Sequence, residues 1–186
     1  MHTLPCIAHT AWHKHTTTHS IAPRRYPNAI PTLLRLRLAT QDTLTSINDL
    51  AVMLGDRGDL AAAEPLYREA LKAQREDLGE QHPSTILSTN NLACVLRARG
   101  ELADAVVLHE AALTAQRVVL GNRHESTLAS VYNLGSLLAE TGTFARAEEL
   151  LAEEYNACKE TKGEKHPETV ASLENMNALL KSAGAA

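Results

Sequence analysis

An all-α solenoid of antiparallel helix pairs is the fold class this sequence predicts, and three observations predict it. The chain repeats itself at an offset of 42 residues without a gap. Each repeat holds two stretches of helical apolar spacing, each closed by a glycine. The apolar content is mostly Ala, Leu and Val: the chain is 44% hydrophobic but 3% aromatic, a mixture that favours helix and lets helices approach closely. A period in this range is the mark of stacked repeats that bury their apolar faces against one another.

The register is dense. Thr43, Thr85, Thr127 and Thr169 coincide, as do Leu50, Leu92, Leu134 and Met176. Asn91, Asn133 and Asn175 align, with Asp49 in the first copy. Gly58, Gly100, Gly142 and Gly184 form one glycine series and Gly79, Gly121 and Gly163 another; three residues after each of the latter stands His82, His124 or His166.

Within the second copy, Pro83 suits a first helical turn, where its missing N–H leaves no bond unmade. Ile86, Thr89, Leu92, Ala93 and Leu96 follow at spacings of three and four, one buried stripe. Gly100 closes that helix in a left-handed conformation. Ala105, Leu108, Ala112, Ala115 and Val119 form the stripe of the second helix, which Gly121 ends. The same logic predicts helices over 41–57, 60–78, 83–99, 102–120, 125–141, 144–162 and 167–182. The last is expected to pack Val170, Leu173 and Leu180 on the repeat before it. Repeats then run over about 40–81, 82–123 and 124–165, with a half repeat at 166–186.

Small residues recur where helices should cross: Ala51, Ala93 and Gly135 in first helices, and Ala63, Ala105 and Ala147 in second ones. Each pair is separated by 12 positions, and Leu precedes the first member. With "NNLA" at 90–93, "YREAL" at 67–71 and "LGEQHPST" at 78–85, residues 40–186 resemble the tetratricopeptide repeat in the longer form found in kinesin light chains. The resemblance implies a right-handed superhelix of about three and a half repeats. It further implies a non-enzymatic scaffold whose first helices line a concave groove for a partner protein or peptide.

Such light chains carry an N-terminal heptad coiled coil that binds the kinesin heavy chain. Residues 1–39 show no heptads and contain Pro5, Pro23, Pro27 and Pro31, so heavy-chain binding is not supported. This segment holds five His and five basic residues and no acid, and is expected to be a low-order tail. Its alternative is an organellar transit peptide, which would make the chain a mitochondrial or plastid adaptor rather than a cytoplasmic one. A further alternative is a fragment or accessory module of a larger signalling or motor assembly.

Function is expected along the first helices. Asn is a mediocre helix former, yet Asn48, Asn90, Asn91, Asn133 and Asn175 recur mid-helix. One reading is that their amides bond the backbone of an extended peptide; the other is a ladder joining repeat to repeat. Helical phase adds Leu87, Cys94 and Arg97 in the second repeat and Ala129, Tyr132, Ser136 and Glu140 in the third. Arg97 is the basic candidate, while Glu140 and Asp56 favour a basic or neutral peptide over an acidic one.

Other classes find no support. All 22 acidic residues lie from Asp42 onward beside 13 basic ones, the wrong balance for replacing phosphate counterions, so no nucleic-acid partner is expected. No apolar run reaches the ~20 residues of a membrane span. Nucleotide-loop and zinc-protease motifs are missing, and no cofactor is expected. Equivalent histidines in stacked repeats sit about 10 Å apart, too far to share a metal whose ligands lie at about 2 Å. They are expected to cap helix starts. Cys6, Cys94 and Cys158 have no paired spacing and are expected to be reduced, packed thiols.

Overall fold

The computed structural model describes residues 32–183. The helices are α1 (Thr32–Asp56), α2 (Leu60–Leu78), α3 (Pro83–Ala98), α4 (Leu102–Leu120), α5 (Glu125–Glu140), α6 (Phe144–Lys162) and α7 (Pro167–Ala183). Each packs mainly on its neighbours in sequence, so α1–α2, α3–α4 and α5–α6 are three helix pairs and α7 opens a fourth. This is an all-α helical solenoid. The main departure from expectation is α1, which begins at Thr32 and not near residue 41. The stretch "LLRLRLA" that opens it is built of strong helix formers. The expectations for residues 1–31 lie outside the described residues.

Local chemistry sets the boundaries. Nδ1 of His82 accepts from Ser84 N–H at 3.2 Å, and His124 does the same for Ser126 at 3.2 Å. His166 caps the backbone of Glu168 at 3.3 Å. Each imidazole thus satisfies one of the four N–H groups that a helix start leaves without an intrahelical acceptor. At the other end of α3, Gly100 adopts φ 84°. Its N–H bonds the carbonyl of Arg97, and the next N–H, of Glu101, bonds Leu96 at 2.9 Å. Only glycine enters that left-handed region without steric cost.

Between helices the small residues do what their spacing predicts. Ala51, Ala63, Ala93 and Ala105 have no exposure at all, and Ala147 has 2%. At Gly135 a Cβ would stand 3.0 Å from Cγ of Leu151. The third repeat therefore uses glycine where the first two use alanine, because Leu151 occupies the space. The core around these crossings gathers Tyr67, Leu71, Leu92, Val95, Leu96 and Leu137, with Val131, Leu134 and Leu150 continuing it into the third repeat.

Two apolar expectations need correction. Val119 is 42% exposed, because the buried seam of α4 runs through His109, Ala112, Leu113 and Gln116. Val170 is 41% exposed and Leu173 only partly buried; the side chain of Leu180 lies outside the described residues. At the opposite end Leu50 and Met53 are exposed, although their counterparts Leu92 and Val95 are buried. The difference is positional: α3 has α2 packed on its near side.

Candidate groove and the bonds between repeats

Asn48 and Asn90 occupy the same place in successive repeats, and so do the serines they meet. Ser88 donates to Oδ1 of Asn48 at 3.2 Å, and Nδ2 of Asn90 donates to Ser130 at 3.4 Å. Both pairs are buried and both join one first helix to the next. The ladder reading thus holds at these two positions. In the third repeat Tyr132 stands in the asparagine's place, and the matching Ser172 donates to Glu154 instead.

Asn90 has a second task. Its Oδ1 lies 3.2 Å from Nδ1 of His109 on α4. An amide oxygen only accepts, so Nδ1 carries the proton and Nε2 is bare; Nε2 has no hydrogen-bond partner among the described residues. His109 has no exposure. Burial, with a smaller repulsion from Arg97, pushes its pKa down to about 4, since a charge there would lose its hydration.

Arg97 spans the next boundary. Its Nε donates to Glu140 at 3.0 Å, a second guanidinium nitrogen reaches the other carboxylate oxygen, and the same nitrogen lies 3.4 Å from Ser136. This fork-to-carboxylate geometry is the strong form of an ion pair. The cation nominated for the groove, with Ser136 and Glu140 nominated beside it, is therefore engaged within the protein. Arg117 bridges to Glu153 between the second helices α4 and α6 with one nitrogen, Nη2, which reaches the two carboxylate oxygens at 2.6 and 2.7 Å.

The remaining candidates separate by burial. Asn91 is 7% and Asn133 1% exposed, so both amides sit within the packing of the first helices. Leu87 and Cys94 are partly buried. Cys158 is a free, buried thiol, and Cys6 lies outside the described residues. Tyr132 and Asn175 are brought together, with Ala129, on the wall of a cavity of about 410 Å³ between α5, α6 and α7. Glu154, Cys158 and Ser172 also line this cavity.

Three of these groups escaped the sequence reading although the register carried a signal for each. Glu154 falls where the first two repeats have the buried Ala70 and Ala112, a charge replacing a methyl. Ser88, Ser130 and Ser172 form a series at the 42-residue offset. His109 aligns with Tyr67 and Leu151, which marks a core position holding a titratable ring. Among the described residues, no group of three His, Cys, Asp or Glu is placed to hold a metal ion. None of the described helices is long and apolar enough to cross a membrane.

The tetratricopeptide repeat family matches the chain twice, over residues 42–117 and 86–160. The chain belongs to the tetratricopeptide repeat family. Its subtype follows from solved structures. A kinesin light chain of Podosopora anserina with nearly identical TPR-like repeats is 28% identical, with a TM-score of 0.69 over 76% of this chain and 67% of that one. BtubC (BKLC) from P. vanneervenii is 25% identical, with a TM-score of 0.65 over 78% of this chain. The match spans 60% of the length of BtubC. A search of curated protein sequences finds no match. This tetratricopeptide repeat protein is thus of the kinesin-light-chain type, and its repeats form a protein-interaction scaffold.

Proposed function

We propose that the scaffold binds an extended segment of a partner protein along the face made by the first helices α3, α5 and α7. The observation that carries this is the cavity of about 410 Å³, which crosses from the third repeat to the fourth and has Tyr132 and Asn175 on its wall. A ligand that runs across repeats is the one such a surface suits, because each repeat contributes one first helix at a fixed spacing.

Roles divide along the face. Asn48, Asn90, Asn91 and Asn133 hold the first helices in register beneath the segment. Leu87, Cys94, Tyr132 and Asn175 contact it. Arg97 and Ser136 shape the boundary between the second and third repeats. Because Glu140 holds Arg97, an acidic partner finds little free positive charge at that boundary, and a neutral or basic segment is favoured.

The test uses the full chain and a phage-displayed library of random 12-residue peptides. Peptides captured by the wild-type chain should be lost from Ala129→Arg, which fills the cavity. They should be retained by Val118→Arg, whose side chain is 65% exposed on α4. Circular dichroism establishes that both variants keep the wild-type helix content. Equal capture by all three proteins, or no capture at all, contradicts the proposal.

A further inference from the structure

Glu154 is the unusual group of the cavity. It stands on α6 facing α5 and α7, in the place where the first two repeats carry Ala70 and Ala112 with 0% and 2% exposure. Its carboxylate receives two neutral donors: the hydroxyl of Ser172, and the thiol of Cys158 at 3.4 Å. No Lys or Arg among the described residues forms an ion pair with it.

The cations that line the cavity are committed elsewhere. Arg123 bonds Glu160 and Lys162 bonds Glu168. The charge of Lys162 favours the Glu154 carboxylate least of all its surroundings, and the charge of Glu168 opposes it more strongly. Burial holds the Glu154 carboxyl above the usual carboxylate range. A half-buried carboxylate with neutral donors alone has lost hydration that no cation among the described residues restores. A cation entering the cavity would restore it.

The walls suit a particular kind of cation. Leu128, Ala129 and Ala171 offer apolar surface, against which a chain of methylenes packs while its charged head reaches a carboxylate. We propose that this cavity takes the side chain of a lysine or arginine from the bound segment, with Glu154 as its counter-ion. The inference rests on the groove reading above and adds to it the residue class that anchors the segment.

The probe is the same random 12-residue library, selected on the full wild-type chain, on Glu154→Gln and on Glu154→Ala. Glutamine keeps an acceptor for Ser172 while removing the charge. Alanine restores the residue of the first two repeats, so at least one folded variant is available. The expected result is a fixed Lys or Arg position in peptides selected by wild type that disappears from both variants. Replacing that residue by norleucine in a selected peptide should weaken wild-type binding at least tenfold and change variant binding by less than twofold. Capture of peptides with the same preferences by wild type and variants overturns the cation site and leaves the groove reading standing. Capture of none overturns both.

Discussion

His109 makes the stability of this solenoid depend on pH in a way that can be calculated. Its pKa is about 4 in the folded protein and close to 6.5 when unfolded. The folded state therefore disfavours the imidazolium. Above pH 6.5 both states are neutral there and the stability is fully present. As pH falls below 6.5 the unfolded chain takes up a proton that the folded chain refuses, and stability is lost until about pH 4. Between pH 7.5 and pH 5 the loss through this residue alone is about 2 kcal/mol. Urea unfolding of a domain this size, at about 1–3 kcal/mol per molar, would register a midpoint shift of about 1 M. The comparison is with His109→Gln, which keeps a donor for Asn90 but does not titrate. Glu154, held high by burial, stabilises in the opposite direction on acidification, yet it is common to both proteins and cancels. The wild type should therefore lose about 2 kcal/mol more than His109→Gln over this interval. Equal losses in the two proteins would refute the neutral, buried imidazole.

Other consequences follow from single contacts. Ala105 has no exposure at a helix crossing, so Ala105→Leu should destabilise by about 1–3 kcal/mol through overpacking, read as a lower urea midpoint. The Oγ1 atoms of Thr85, Thr127 and Thr169 are buried without a hydrogen-bond partner among the described residues, in first turns that lack a helical carbonyl four residues back. Thr127→Val should therefore stabilise by about 1 kcal/mol, and a fall in thermal midpoint would contradict it. Burial, and then the charge of Glu154, push the Cys158 thiol up to about 11. Its alkylation by iodoacetamide at pH 8, followed by peptide mass spectrometry, should be about a hundredfold or more slower than that of an ordinary thiol.

Sequence alone carried most of the fold because the repeat supplies its own controls. Six of the seven helices begin within a residue of their expected starts, since proline, histidine and glycine mark each boundary by local chemistry that needs no tertiary context. The start of α1 did not follow, because prolines upstream of a helix say little about where the helix begins. Val119 and Val170 were misplaced for a related reason. Helical spacing fixes which residues share a stripe, but the width of the buried stripe depends on the neighbouring helix, which the sequence does not position.

The site was less legible. Recurring asparagines drew attention to the first helices, but whether an amide faces a ligand or the next repeat depends on partners such as Ser88, Ser130 and His109. Those partners lie 19 to 40 residues away in sequence. Arg97 read as a free groove cation until Glu140 closed on it. The cavity's carboxylate, Glu154, stands where the other repeats have alanine, a departure that becomes meaningful only when the space beside it is seen.

Partner recognition on the first-helix face can be read residue by residue by chemical-shift mapping. The full chain, labelled with nitrogen-15, would be titrated with a peptide selected from the random library. The largest shifts should fall at Leu87, Cys94, Ala129, Ser172 and Asn175. Shifts centred on the exposed Val107 and Val118 of α4, with those five residues unmoved, would contradict recognition on that face.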